Sequence, residues 1–248
     1  MILHRRILSI LAVAAGLVAL WWATLVAFEI PPYLMPSPGS VFAAFWTDGW
    51  TLIVMAWTTV SSTVVGLLVA ALCAAAMAVV FVQSHLVAQA AMPLLIVIRS
   101  TPVAAIAPLM MLMLGRGMGT SVFVVVLVSF FPILINVMRG LRSADAQSLE
   151  LLRVYGASRW QMICMLRAPY ALPYLFTGLR IAGGTAILGA LLSEWITGNR
   201  GLGLLILDSA EMREIDVLWA AIIVSVIIAL SLFALTSAAE RAVLHWKT

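Results

Sequence analysis

The sequence predicts an all-α protein that crosses a membrane several times, and three observations support this. Of its 248 residues, 64% are hydrophobic and only 10% are charged, whereas soluble domains are about 45–50% apolar and about 25% charged. The mean hydropathy is +1.14. The apolar residues also form long runs, and a helix of about 20 apolar residues spans the hydrocarbon core of a bilayer. A soluble fold would leave large apolar patches exposed to water.

Six apolar runs qualify as transmembrane helices. They cover residues 7–29, 52–83, 87–114, 119–138, 170–196 and 217–243. The first run follows Arg5 and Arg6 and continues for about 22 residues, which exceeds the 7–15 of a signal-peptide core. We therefore expect an uncleaved first span rather than a cleaved signal peptide. No internal repeat or linker is visible, so residues 1–248 are expected to form one transmembrane domain.

The distribution of basic residues predicts the orientation. In a six-span arrangement nine basic residues fall on one side of the membrane and three on the other. The nine are Arg5, Arg6, Arg139, Arg142, Arg153, Arg159, Arg167, Arg241 and Lys247, and the three are Arg116, Arg200 and Arg213. The positive-inside rule then places both termini in the cytoplasm. The pI near 9.6 thus reflects membrane topology, and no nucleic-acid partner is expected.

Residues suited to catalysis or metal binding are few. Cys73 lies in an apolar run and Cys164 in a polar stretch, so no disulfide is expected. The three histidines are scattered and form no metal-ligand pattern. The ionisable residues deep within predicted spans are Arg99 and Arg180, with no mid-span histidine or carboxylate. A membrane-embedded enzyme is therefore disfavoured, and no catalytic or metal residue is assigned.

Two polar stretches on the predicted external side have structure of their own. In residues 31–49, Ser40 is expected to cap a short helix that runs through Phe45. Residues 197–216 contain three glycines followed by four acidic residues. This second stretch is either an acidic face that meets a basic partner or a solvated loop.

The longest polar interruption, residues 139–173, predicts two short helices joined at a glycine. Residues 145–155 have a helix-forming composition, and Gly156 ends that helix because glycine accepts the left-handed conformation. Ser158 is placed to cap a second helix, with Gln161 completing a capping box.

The residue types predict the end of this polar stretch and its function less directly. Pro169 and Pro173 are expected to stop the second helix and to start the fifth span. A short amphipathic element between two spans either lies in the lipid headgroups or transmits force from a soluble motor. The residue types by themselves leave both interpretations open.

A resemblance to a known family favours the second interpretation. The segments Glu150-Leu151-Leu152, Gly156 and Leu166-Arg167-Ala168-Pro169 resemble the "EAA" loop of bacterial ABC-importer permeases. That pattern reads Glu-Ala-Ala, three residues, Gly, nine residues, then Ile-x-Leu-Pro, and both spacings match. The two alanines are leucines here, and Ala168 replaces a leucine.

Four further segments are similar to the branch of this family that handles nitrate, sulfonates, taurine and pyrimidine precursors. They are Pro36-Ser37-Pro38, Arg99-Ser100-Thr101-Pro102 with Pro108, Phe131-Pro132, and Glu194 ahead of Gly201-Leu202-Gly203. The resemblance implies a multi-pass protein of the bacterial inner membrane that pairs with a second copy of itself. It also implies two cytoplasmic ATPase subunits, which bind the ATP, and an external substrate-binding protein. The chain itself would be neither an enzyme nor a cofactor-binding protein.

The same resemblance implies a coupling role for the loop at about 139–169. The helix before Gly156 would dock in a groove of the ATPase, with Glu150 as its polar anchor. The coupling segment would comprise Glu150, Leu151, Leu152, Gly156, Ala157 and Ser158. A secondary transporter or channel without an ATPase is the alternative, but no inverted repeat is visible and this loop would then have no role.

Arg99 and Thr101 are candidate substrate-pathway residues. Arg99 lies about 14 residues after His85 and therefore about 20 Å into the bilayer. A central arginine costs about 2.5–3.5 kcal/mol on insertion scales, so Arg99 must face protein or a watery cavity. Pro102 predicts a break in the span at this point. Substrate contact competes here with a structural ion pair or a bond to carbonyls freed by the break.

Glu194 is the third candidate of the pathway. It continues a helical stripe of Gly178, Ala182, Ala186 and Ala190, whose small residues allow close helix packing. Glu194 lies about 31 Å from Pro173 along the helix, near the outer interface. Snorkelling or loop anchoring is the favoured interpretation, and external gating or binding is the alternative. The substrate stays open between an anion, such as nitrate or a sulfonate, and a pyrimidine- or riboflavin-type ring.

Overall fold

The computed structural model describes the backbone of residues 2–244 and the side chains of residues 12–244. The described chain is helical, without a strand, which confirms the predicted all-α class. The helices are α1 (Ile2–Ala27), α2 (Pro38–Thr47), α3 (Gly49–Gln83), α4 (His85–Ser100), α5 (Val103–Leu114), α6 (Met118–Arg142), α7 (Ala146–Val154), α8 (Arg159–Met162), α9 (Ala168–Thr197), α10 (Leu202–Glu211) and α11 (Ile215–Val243). A π-helical segment, Ile163–Arg167, joins α8 to α9.

Four helices in the described part of the chain are long and apolar enough to cross a membrane: α3, α6, the continuous Arg159–Thr197 helix and α11. The pair α4 and α5 makes a fifth if it counts as one broken span. In α1 the apolar part whose side chains are described, Ala12–Ala27, is shorter than a full span. The predicted multi-pass architecture is therefore confirmed, while the count of six stays a prediction.

The centre of the fold is a close packing of α3, α6 and α9. Along α3 the small residues Ala70, Ala74 and Ala78 are fully buried, and along α9 so are Ala182, Ala186 and Ala190. Since lipid tails are as apolar as the side chains, membrane helices associate through van der Waals contact, which small residues permit at short range. These periodic stripes are packing surfaces between helices.

Glycines bring the three backbones closest together. A Cβ at Gly66 would lie 2.5 Å from Val125 Cγ1. A Cβ at Gly140 would lie 2.7 Å from the Cα of Ala171, which is backbone and cannot rotate away. The α3–α6 and α6–α9 contacts therefore depend on positions without a side chain.

Helix α2 differs from its prediction at both ends. Its N-cap is Ser37 rather than Ser40, since the Ser37 side chain accepts a 3.1 Å hydrogen bond from the Ser40 backbone N–H. Pro38 occupies the first turn, where a missing N–H costs nothing because that donor would be unpaired in any case. The helix ends at Thr47, two residues beyond Phe45.

The prediction that Pro169 and Pro173 stop the second short helix is wrong. The helix runs without interruption from Arg159 to Thr197, with Pro169 in the first turn of α9 and Pro173 inside it. The π-helical segment accounts for this, because the Ala168 N–H donates to the Ile163 carbonyl five residues back. The wider turn already departs from the regular bonding that Pro169 would break.

Candidate functional site

The polar loop between α6 and α9 contains the predicted helix–glycine–helix unit. Helix α7 is capped by Asp145, whose Oδ2 accepts a 2.9 Å hydrogen bond from the Ser148 N–H. The hydrogen bonds from the Ser148 backbone and side chain lower the pKa of the Asp145 carboxyl. A charged cap at this end also complements the positive end of the helix dipole.

Gly156 ends α7 in the left-handed conformation, with a φ of +74°. The Gly156 N–H donates to the Arg153 carbonyl and the Ala157 N–H to the Leu152 carbonyl, each at 2.9 Å. This pair of bonds is a Schellman motif, which satisfies carbonyls that a helix end leaves free. The prediction for Gly156 is confirmed.

The capping box that begins α8 is confirmed as well. Ser158 Oγ accepts a 3.2 Å hydrogen bond from the Gln161 N–H. In return Gln161 Oε1 accepts a 2.7 Å bond from the Ser158 N–H. Both ends of the Gly156 turn are therefore held by local bonds, which set the direction of one short helix relative to the other.

Helix α7 has no buried residue. Glu150 is exposed, Leu151 is 57% exposed, and Val154 and Tyr155 are each 80% exposed. Leu152 and Ala157 are half-buried, whereas Ser158 is exposed. Helix α7 therefore leaves part of its apolar surface exposed, at Leu151 and Val154, while Leu152 is half-covered by the fold.

The third predicted span is broken, as the position of Pro102 indicated. Helix α4 ends at Ser100 and α5 begins at Val103, and the two helices are bent by 96°. Between them Thr101 and Pro102 adopt extended conformations. The break places the end of α4 beside α6 and α9.

Arg99 and Thr101 line a cavity of about 350 Å³ at this break. Its other walls come from α6 and α9 and include Phe131, Thr185 and Gly189. The Arg99 guanidinium carbon lies 4.5 Å from the centre of the Phe131 ring, a geometry at which a cation is attracted to the aromatic face. Within the described residues no carboxylate lies at salt-bridge distance from Arg99. The interpretation of Arg99 as half of a structural ion pair is therefore excluded for the described residues.

Glu194 lies apart from that cavity. Its side chain is fully buried, so the snorkelling interpretation is wrong, and it acts as an anchor instead. Oε2 accepts 2.9 Å hydrogen bonds from the Thr59 hydroxyl and from the Gly203 N–H. Oε1 is buried without a partner among the described residues. The carboxyl group thus ties the end of α9 to α3 and to the start of α10.

Thr59 is a residue that the sequence did not point to. Its hydroxyl also accepts a 2.9 Å hydrogen bond from the Leu202 N–H, so it supports the start of α10 beside Glu194. Thr59 lies 135 positions from Glu194 along the chain, and a threonine in an apolar run carries no local signal. Arg180, the other arginine placed within a predicted span, pairs with Glu240 of α11 at 3.0 Å.

Fold and site together define a polytopic membrane permease, with a small-residue helical core, a break between α4 and α5 beside a cavity, and a helical loop that exposes apolar side chains. The chain belongs to the family of binding-protein-dependent transport system inner membrane components, which matches residues 66–245. The expected family is thereby confirmed.

Similar proteins give the same class. The riboflavin transport system permease protein RibX of Chloroflexus aurantiacus is 31% identical over 93% of this chain and 87% of its own length. The formylaminopyrimidine transport permease protein ThiX of Halalkalibacterium halodurans is 35% identical over 69% of each chain. Further relatives are named for transport of aliphatic sulfonates, taurine and nitrate.

A solved structure supports the fold. A chain of the MetNI methionine ABC transporter, in an inward-facing conformation, superimposes with a TM-score of 0.70. The match covers 79% of this chain and 98% of that one at 18% identity. At this identity the likeness concerns the fold alone.

Proposed function

We propose that this chain is the membrane-spanning subunit of an ATP-driven importer that moves a small solute delivered by a substrate-binding protein. The observation that carries the proposal is α7, an ordered helix with no buried residue that is held out from the fold by the Gly156 turn. The spacing around this turn resembles that of the family's coupling loop, which supports the proposal.

In this proposal α7 docks in a groove of a cytoplasmic ATPase. The exposed Leu151 and the half-buried Leu152 supply apolar contact, Glu150 supplies a polar anchor, and Ala157 and Ser158 continue the coupling segment beyond Gly156. ATP is bound and hydrolysed on the ATPase, so the chain has no catalytic residue of its own. The loop transmits movement because the Schellman motif and the capping box make it a stiff connection.

The working complex is proposed to contain two copies of this chain and two ATPase subunits. Apolar side chains that line the Arg99 cavity are exposed, among them Leu188 at 66% and Ile98 at 38%. A second copy of the chain would cover this surface. Without it, the exposed apolar side chains and the charged Arg99 beside them would face lipid. Six spans with both termini in the cytoplasm complete the proposed topology.

Closure of the two ATPases on ATP would bring the two coupling loops together and rock the paired permeases between inward- and outward-facing states. The loaded binding protein favours the outward state because its affinity differs between the two states. Glu194 has a positioning role in this scheme, since it holds α10 against α9 and α3.

The substrate is proposed to be a small anion or a planar heterocycle. Arg99 offers a guanidinium group without a carboxylate partner in the described chain, next to the Thr101 side chain, in an otherwise largely apolar cavity. A guanidinium binds oxyanions through paired N–H donors and also stacks on flat rings. Both substrate classes occur in the names of the relatives.

The coupling role is tested with Gly156→Asp and Gly156→Asn in the complex with the partner ATPase. A Cβ at Gly156 would meet nothing within 4 Å, so neither variant creates a clash. Asparagine tolerates the left-handed conformation better than most residues and serves as the matched control. Gly156→Asp adds an acidic group at the negative end of α7 and is expected to reduce ATPase co-purification and binding-protein-stimulated ATP hydrolysis at least about tenfold. Intact stimulation in Gly156→Asp would remove the coupling assignment.

A further inference from the structure

A second pocket lies beside the coupling loop and is distinct from the Arg99 cavity. Its volume is about 250 Å³. It is lined by Val82, Gln83, Arg153, Arg159, Met162, Ile163 and Arg167. Three arginines thus converge on one concave site between the end of α3, helix α7 and the start of the Arg159–Thr197 helix.

The positive charge of this pocket is not neutralised within the described part of the chain. The ion pair of the described residues joins Arg180 to Glu240, and neither of these residues lines the pocket. Glu150 stands three residues before Arg153 on α7, a spacing at which opposite charges can meet, yet the two side chains form no salt bridge. The pocket is therefore complementary to an anion.

The π-helical segment directs two of the arginines to the same side. Arg159 and Arg167 are eight residues apart, which in a regular α-helix would separate them by about 80° around the axis. One additional residue in the wider turn takes up about 100°, which leaves the two side chains about 20° apart. The sequence would place them on diverging faces, and the π-helical turn brings both to the pocket.

The surroundings of the pocket are those of a membrane–water boundary. It lies where the span α3 ends, at Gln83, and where the helix of another span begins. Apolar side chains beside it are exposed, with Trp160 at 63%, Met165 at 66% and Leu86 at 78%. Tryptophan is enriched at such boundaries because its ring is apolar and its N–H is polar. An anion held here would have apolar surface next to it.

We propose that this pocket binds the phosphate-bearing headgroup of an anionic membrane phospholipid. Guanidinium groups pair with phosphate oxygens through two parallel hydrogen bonds, and basic pockets between membrane helices recognise anionic headgroups. The acyl chains would lie along the exposed apolar side chains beside the pocket. Because Arg153 belongs to α7, the headgroup would also tie this helix to the end of α3. The proposal requires no ATPase and goes beyond the importer function.

The full chain in nanodiscs of phosphatidylcholine provides the test. Short-chain phosphatidylglycerol is titrated against short-chain phosphatidylcholine, and binding is followed by tryptophan fluorescence and by thermal stabilisation. The wild type is expected to bind phosphatidylglycerol selectively. Arg159→Gln and Arg167→Gln should each weaken binding about fivefold, and the double variant about 25-fold, if each arginine contributes as basic groups near anionic membranes do. Arg142→Gln, an exposed arginine outside the pocket, is the matched control and should bind as the wild type does.

Other outcomes would overturn the proposal. Equal affinity for the two lipids, or an unchanged affinity in the double variant, excludes a headgroup site. Competition by inorganic phosphate as strong as that by the lipid would identify a free-anion site instead. If purified ATPase displaces the lipid and also fails to bind the same arginine variants, that result would show that the pocket binds a carboxylate of the ATPase. If the double variant does not elute as a monodisperse species, lipid binding to the wild type is measured at increasing salt concentration instead. Binding of a headgroup held by three arginines must weaken as the salt concentration rises, and binding that does not weaken overturns the proposal.

Discussion

The carboxyl group of Glu194 and the backbone N–H of Gly203 are joined by a 2.9 Å hydrogen bond. This bond connects the last turn of α9 to the first turn of α10 across the short glycine-containing segment between them. The Thr59 hydroxyl donates to the same carboxylate oxygen at 2.9 Å. Three helices therefore meet at one buried oxygen atom.

Removal of this carboxyl group is expected to destabilise the junction. Glu194→Ala leaves the buried Gly203 N–H without its acceptor, at about 1–3 kcal/mol, whereas the Thr59 hydroxyl can still donate to the Met55 carbonyl at 3.3 Å. Glu194→Gln keeps a side-chain oxygen and should cost less. Thermal unfolding in detergent measures both variants, with the exposed Glu211→Ala as a control near wild type. A Glu194→Ala protein as stable as that control would contradict the anchoring role.

Substitution of Gly203 tests the close approach of α10 to α9. A Cβ at Gly203 would overlap the Leu191 carbonyl oxygen and lie 3.0 Å from Glu194 Cβ. Because a backbone atom cannot rotate aside, Gly203→Ala is expected to lower stability by about 1–3 kcal/mol, as overpacking does. Gly184→Ala is the matched control, since a Cβ there meets nothing within 4 Å, and its unfolding temperature should match the wild type or exceed it slightly. Equal unfolding temperatures for the two variants would show that α10 is free to move away.

The proposed pathway role of Arg99 predicts a graded loss of uptake. Arg99→Gln removes the charge and should abolish uptake of an anionic substrate, whereas Arg99→Lys keeps the charge without the planar donor geometry and should be intermediate. Uptake into proteoliposomes with the binding protein and ATPase present is the measurement, and gel filtration of the assembled complex checks assembly. Arg116→Gln, at an exposed position outside the cavity, should transport normally. Unaffected uptake in Arg99→Gln would exclude Arg99 from the pathway.

The cap of α7 is expected to depend on pH in one direction. Hydrogen bonds from Ser148 lower the Asp145 pKa from its usual value of 3.8. The pKa of this carboxyl is therefore lower in the folded protein than in the unfolded chain. The stabilisation is then present above pH 3.8 and is lost as the pH falls through the folded pKa. Hydrogen exchange of residues 146–154 should quicken in acid relative to Asp145→Asn, which keeps an uncharged cap. Parallel pH profiles in both proteins would show that the charge contributes nothing to the cap.

Local structure could be predicted from the sequence where one residue determines it. Gly156 adopts the left-handed conformation, Ser158 and Gln161 form their capping box, and Pro102 marks the break between α4 and α5. Each depends on the backbone preferences of residues that are adjacent in the sequence, so no coordinates are needed to predict it. The errors at Ser40 and at Pro169 are also local: a proline at the first turn of α2 allows Ser37 to cap, and a π-helical segment carries the helix past Pro169.

By itself the sequence determined that this is an all-α, multi-pass membrane protein with a glycine-centred loop of the permease family, because composition, run length and motif spacing do not require coordinates. Only the tertiary structure decided that Glu194 is a buried anchor paired with Thr59, and that Arg99 lies over Phe131 in a cavity. Those contacts join residues far apart in the chain, and hydrophobic periodicity shows which face of a helix packs but not what it packs against.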